Sequence, residues 1–212
     1  MLDDYAFLIH ACLDGWLATG AMKYYQAALD LAEHMIKQFY DATGGGFFDA
    51  VGGELLGVLA ARRKPLQDSP TPAGNPAAAS ALLRLEALNG RADLREKAED
   101  TLEAFAGVVS HFGLYAGTYG LALERLLLPP VQVVVIGEDA AADELEAAAS
   151  VGYTVNKSVI RLTGSQVADS LPPLLAETLP HLKIDRSVAV VCKGTSCLPP
   201  VFLPEQVLEY ID

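Results

Sequence analysis

The sequence predicts a mixed α/β chain in which helical hairpins over residues 1–128 precede a small three-stranded, mainly parallel α/β unit over residues 131–212. Three observations predict it. Up to Pro129-Pro130 the apolar residues recur at helical spacing; beyond that pair, short β-branched runs alternate with helix-favouring ones; and the diproline itself breaks any continuing helix.

Tyr5, Ile9, Cys12 and Trp16 repeat at i, i+4, i+7 and i+11, and Tyr24, Ala28, Leu31, Met35 and Phe39 resume the pattern after Gly20, which predicts two helices joined by a short turn. Gly44-Gly45-Gly46-Phe47-Phe48-Asp49 opens an aperiodic excursion with one short hairpin, ending in Pro65, Pro70 and Pro72. Asn75, Pro76 and Gly90 supply an N-cap, a proline at the first helical position and a C-terminal glycine around an alanine-rich helix. Residues 93–109 and 114–128 complete five helices.

In the second half, 131–136, 155–162 and 187–192 read as strands, with helices at 141–149 and 171–182 and a last one starting near Pro204-Glu205. Helices between successive strands predict parallel pairing.

Composition narrows the function. With 51% hydrophobic and 20% charged residues, the 212-residue chain is globular and long enough for one or two cores. Fifteen Lys and Arg against 27 Asp and Glu leave a charge of -12, which repels nucleic acid and anionic membranes. Neither a signal peptide nor an apolar run of the roughly 20 residues that cross a bilayer is present, so a cytoplasmic protein is expected. Three cysteines and four histidines show no metal-finger spacing, and neither metal nor cofactor is expected. The loop after 131–136 carries a single glycine with Glu138 and Asp139, which would repel a dinucleotide's phosphates.

Asp3, His10 and Asp14 share one stripe of the first helix, where two carboxylates and an imidazole suit acid–base work; capping by Asp3 or Asp4 and a core-edge role for His10 are the simpler reading. The glycines at 44–46 shape either a ligand-facing loop ending in Asp49 or a plain turn. Cys192 and Cys197 flank a loop in which Lys193 would lower a thiol's pKa; reversible disulfide and reduced thiols are both open, the latter favoured in a reducing compartment.

Seven short motifs then occur in order: Leu2-Asp3-Asp4-Tyr5-Ala6; Gly45-Gly46-Phe47-Phe48; Arg63-Lys64-Pro65 with Asp68; Pro72-Ala73-Gly74-Asn75; Leu83-Arg84-Leu85; Arg95-Glu96-Lys97-Ala98; and Cys192 with Cys197-Leu198-Pro199-Pro200. Their order and spacing resemble the C-terminal part of the spermatogenesis-associated protein 20-like family of thioredoxin-domain-containing proteins, over essentially the whole chain. The resemblance implies an α/α toroid related to six-hairpin glycosidases and N-acylglucosamine 2-epimerases, followed by a small α/β tail, with a thioredoxin-like domain upstream. This chain looks like the last third of such a protein. It carries no thioredoxin domain, and its helices are fewer than half of a closed toroid's.

Carried over residue by residue, the resemblance places Asp4 and Tyr5 at an inner-helix entry, Asp49 after the glycine turn, and Asp68 and Asn75 beside the next entry. Asp4, Asp49 and Asp68 are then the candidate catalytic carboxylates, Tyr5 and Asn75 the ligand-binding candidates, and a sugar-like small molecule the ligand. A carbohydrate-related fragment that is not catalytic alone is the function this implies. The alternatives are a structural or interaction module completing a thioredoxin-containing partner, and a thiol redox role through Cys192 and Cys197. Homo-oligomerisation or association with the missing N-terminal domains is expected, because helices taken from a toroid leave apolar surface bare.

Overall fold

The computed structural model describes residues 1–52, 62–182 and 184–211, and it divides into two compact units. The first comprises Met1–Leu13, Gln26–Glu86 and Arg91–Leu127; the second comprises Asp14–Tyr25, Ala87–Gly90 and Leu128–Asp212. The first two helices are therefore shared between units along their length.

The helices are α1 (Leu2–Thr19), α2 (Met22–Phe39), α3 (Gly74–Asn89), α4 (Ala92–Ala106) and α5 (Gly117–Leu127), with a 3-10 helix at Val109–Ala116 before α5. In the first unit α1 contributes Leu2, Ala6, Ile9 and Leu13 to the core, and α2 contributes Ala28, Ala32, Met35 and Phe39, all at most 1% exposed. Both rows keep the i, i+4, i+7 spacing that buries one face of a helix. The row on α1 is displaced from the predicted Tyr5–Ile9–Cys12–Trp16 stripe: Tyr5 and Cys12 are only half-buried. Helix α3 is buried nearly all round because Ala77, Ala78, Ala79 and Ala81 offer no bulk on any side, which lets neighbouring elements approach closely.

The predicted excursion begins with a tight turn. Asp41 Oδ1 accepts the N–H groups of Thr43 and Gly44 at 3.0 and 3.2 Å, and Asp41 N–H donates to the Gly46 carbonyl at 2.9 Å. Gly45 sits at φ +66°, and a Cβ there would stand 2.6 Å from the Asp100 carbonyl oxygen of α4, so only glycine fits. The remainder of the expected hairpin falls partly on 53–61, outside the described residues.

The second unit is built on β1 (Val131–Ile136), β2 (Lys157–Leu162), β3 (Val188–Lys193) and β4 (Ser196–Cys197), in the spatial order β2-β1-β3-β4. Strand β1 pairs parallel with β2, Val131 opposite Lys157, and antiparallel with β3, Val131 opposite Lys193. The three expected strands are present, but a fourth joins them and the sheet is mixed rather than mainly parallel. The connections explain the difference. Helix α6 (Ala140–Ser150), 11 residues long, climbs about 16 Å and carries the chain back to start β2 beside the start of β1. Between β2 and β3 the helical pieces among the described residues are α7 (Gly164–Asp169), α8 (Pro173–Ala176) and a 3-10 turn at Leu179–His181, with Pro172 capping α8 and Pro180 inside the 3-10 turn. None spans the strand length, so β3 starts from the end where β2 finished and runs the other way.

Val133, Val135, Ala189 and Val191 pack with Ala142, Leu145 and Ala149 of α6 and with Val207 of α9 (Pro204–Ile211). The alternate residues Val134, Ile136, Val188 and Val190 are buried on the opposite face, as in sheets covered on both sides. After β4 the chain keeps to the edge of β3: Val201 and Ala189 exchange backbone hydrogen bonds at 2.9 and 2.8 Å, with Pro199-Pro200 just before.

Candidate functional site

The helix starts of the first unit are tied together by carboxylates. Asp68 accepts from Ala73 N–H with Oδ1 and from Thr118 N–H with Oδ2, both at 2.8 Å, and so links the residue before α3 to the first turn of α5. Each is an orphan donor of a helix start, and a charged acceptor is the strongest partner it can find. Asp49 accepts Arg63 N–H at 3.0 Å, its backbone carbonyl accepts Leu2 N–H from the start of α1 at 3.1 Å, and the Arg63 guanidinium lies 3.5 Å from its second oxygen.

Asn75, fully buried, lies inside the first turn of α3 rather than capping it. Its Oδ1 accepts Phe47 N–H at 2.6 Å, and its Nδ2 donates to the carbonyls of Phe47 at 2.9 Å and Pro65 at 3.0 Å. The whole amide is thus engaged by the backbone of the segment between α2 and α3.

Asp4, the third candidate carboxylate, pairs with the N-terminal ammonium at 2.9 Å and is exposed. The Tyr5 ring stacks on His34 at 5.3 Å and tilts against Phe39 at 5.5 Å. His10 is held between the Ala77 carbonyl, 3.0 Å from Nε2, and the Arg84 guanidinium, 2.9 Å from Nδ1. An imidazole clamped in this way makes no dyad with Asp3, and the core-edge reading describes it.

The sequence offers Asp3 only in the stripe with His10 and Asp14 or as a cap, and the resemblance selects Asp4 for the site. Its Oδ1 is buried without a hydrogen-bond partner among the described residues, and a Cβ on Gly74 would collide with it. Burial, then the charges of Asp4 and Asp49, push its carboxyl above the usual range, and the N-terminal ammonium offsets part of that. Asp3 therefore sits over the start of α3 in the company of Asp49, where Asp4 was expected.

Beside Asp49 opens a cavity of about 460 Å³ lined also by Arg63, Lys64 and Gln67 at a polar side and by Phe105, Val108 and Phe112 at an apolar one. The signal that could have found it is the i, i+3, i+7 spacing of Phe105, Val108 and Phe112 past the end of α4. Lys64 donates to Asp41 Oδ2 at 2.7 Å, and this bond, with the Thr43 and Gly44 N–H groups, lowers the Asp41 pKa to about 2. Among the described residues no three His, Cys, Asp or Glu side chains come together as a metal ion would need, and no helix is long and apolar enough to cross a membrane.

In the second unit, Cys192 and Cys197 are joined by a disulfide directly across the β3–β4 pair. The expected loop is a two-residue hairpin turn, Gly194-Thr195, with Gly194 at φ +60° in its first central position, where this turn class demands a positive φ.

A helical-hairpin unit whose carboxylates clamp helix starts, followed by a small mixed α/β unit, defines the class of protein. No protein-family model matches the chain. Spermatogenesis-associated protein 20 of Homo sapiens is 32% identical to it over 209 residues, and the Rattus norvegicus protein of the same name 29% over 211; each match covers 96% of this chain and 26% of the relative. An uncharacterised protein of Caenorhabditis elegans is 24% identical over 204 residues. Over nearly its whole length the chain is related to the spermatogenesis-associated protein 20 homologues. It spans about a quarter of the length of the curated relatives it matches, less than the third its motifs suggest.

Proposed function

We propose that this chain is a noncatalytic structural module of a spermatogenesis-associated protein 20-type assembly in the cytoplasm, and that it docks the further segments such a protein carries, the thioredoxin-like domain and remaining helices among them. The observation that supports this reading is the set of exposed apolar residues between 109 and 127. Leu114 is 97% exposed, Tyr115 60%, Leu121 48% and Leu127 70%. Gly117 and Gly120 lie between them on α5, and around the Cβ position of Gly120 there is only open space. A glycine inside a helix costs about 1 kcal/mol relative to alanine, and several large apolar side chains exposed in one short segment are disfavoured on an isolated surface. Exposed apolar side chains beside an open glycine suit coverage by another helix.

In the chain by itself the same exposed residues pair with a second copy. Sedimentation velocity across micromolar concentrations tests this: association that rises with concentration and is relieved by the double change Leu114→Ser and Leu121→Ser is the expected outcome. A strictly monomeric particle over that range would falsify the reading.

A carbohydrate-binding role is a second reading, supported by the 460 Å³ cavity, whose aromatic side suits a sugar's apolar face and whose Asp49, Arg63 and Gln67 suit its hydroxyls. Titration with glucose and with an N-acylated hexosamine, followed by amide chemical shifts, tests it. Shifts confined to Gln67, Phe105 and their neighbours support a sugar ligand, and unchanged spectra at millimolar sugar end it.

A further inference from the structure

The disulfide between Cys192 and Cys197 does little for the architecture around it. The backbone already holds both strands: Gly194 N–H donates to the Pro130 carbonyl and Leu198 N–H to the Val191 carbonyl, each at 2.8 Å, and the Ala189–Val201 pair closes the far end. The bridged residues are five positions apart, and loop-closure stabilisation is least for the shortest loops. What the bond adds is chemical. Cys192 is 5% exposed within a core strand, whereas Cys197 is exposed on the edge of the sheet, its Sγ 3.9 Å from the Thr178 hydroxyl. One residue of the pair is exposed on the sheet edge and the other is buried in the core strand.

We propose that Cys192–Cys197 is a reversible two-electron thiol–disulfide couple that exchanges with dithiols through Cys197. A thiolate of the dithiol attacks Cys197 Sγ, forming a mixed disulfide as the Cys192–Cys197 bond breaks. Cys192 departs as a thiolate and takes a proton from water. The second thiol of the reductant then displaces Cys197, which leaves and is protonated in turn; the protein ends with two thiols and the dithiol is oxidised to its disulfide. Because the hairpin's backbone bonds involve neither sulfur, they persist through the cycle and the fold is kept in both states. In the oxidising direction the same steps run backwards.

The test uses the full chain with Cys12→Ser, so that only this pair is counted. Dithiothreitol under native conditions is expected to leave the circular dichroism spectrum unchanged and, after acid quench and maleimide in denaturant, to give two adducts per chain, and oxidised glutathione is expected to abolish them. A bond that resists reduction until the protein unfolds, or thiols that stay free in oxidised glutathione, overturns the proposal. In the same background, Cys192→Ser leaves Cys197 to form a glutathione mixed disulfide at least about tenfold faster than Cys192 does in Cys197→Ser, the difference expected of exposure. Equal rates, or the reverse order, overturn the assignment of Cys197 as the attacked sulfur. The readout involves neither Leu114 nor the cavity beside Asp49, so its failure leaves the docking reading standing.

Discussion

Asp49 and Arg63 hold each other twice: the Asp49 N–H donates to the Arg63 carbonyl at 2.7 Å, and the Arg63 N–H returns the bond to the Asp49 carboxylate at 3.0 Å. The guanidinium adds only a 3.5 Å ion pair, and its own side chain is 86% exposed. Backbone donors bound to a carboxylate are worth about 1.5–3 kcal/mol, whereas an exposed ion pair is worth about 0–1 kcal/mol. The magnitudes decide which half matters. Asp49→Ala is expected to lower the urea-unfolding free energy by about 2 kcal/mol and Arg63→Ala by less than about 1 kcal/mol. Equal losses would show that the ion pair dominates.

Asn75→Ala is expected to be more damaging. It leaves the Phe47 N–H and the carbonyls of Phe47 and Pro65 without the partner they have now. Each buried orphan costs about 1–3 kcal/mol, so a total loss of about 3 kcal/mol or more should appear in denaturant unfolding. A loss under 1 kcal/mol would mean that water enters and replaces the amide.

Asp3→Asn is expected to stabilise the protein at pH 7. The folded-state pKa of Asp3 is raised above the usual 3.8, so the folded chain holds that proton more tightly than the unfolded one. Stability from this group is present below the unfolded value and is lost as pH rises through the folded one. At neutral pH the wild type bears the cost of a charged, partnerless oxygen beside Asp4 and Asp49, which the amide removes. Melting temperatures at pH 7 and pH 3 check the sign: the variant's advantage should vanish at the lower pH.

The opposite dependence is expected of Asp41. Its pKa is lowered to about 2 from 3.8 by Lys64 and by the Thr43 and Gly44 N–H groups, so its contribution is complete above about pH 4 and disappears as pH falls toward 2. Asp41→Asn should flatten the acid limb of the stability curve in that window while lowering stability at pH 7. An unchanged acid limb would remove Asp41 from the account.

How far the fold could be read depended on whether local chemistry decided it. The β-branched runs announced β1 and β3 to within a residue, and Pro204 marked the start of α9, because alternation and proline act over a few positions. The stripe on α1 was read one position out, since Tyr5 and Leu2 are both apolar and only the packing of α2 and α3 selects Leu2. The direction of β3 was misread because helical propensity in 164–182 says nothing of how short each piece becomes between prolines. At the site, the motif resemblance puts Asp49 after the glycine turn and Asp68 and Asn75 beside the next helix entry. That their partners would be the N–H groups of Arg63, Thr118 and Phe47, 14 to 50 positions away, was not in the local pattern. Nothing local separates Asp3 from Asp4 as the residue at this entry, because their distinction arises from Gly74, 71 positions on.

The two margins of the sheet also govern how the protein meets its own kind. On one side the outermost strand, β2, bears Lys157 and Arg161; on the other, the segment lying along β3 carries Pro199 and Pro200, which have no N–H to offer. Charge on one border and missing donors on the other both discourage an incoming strand from extending the ladder. Crowded copies of this chain are thereby steered away from fibril-like growth, even though four valines of β1 and three of β3 make an aggregation-prone composition.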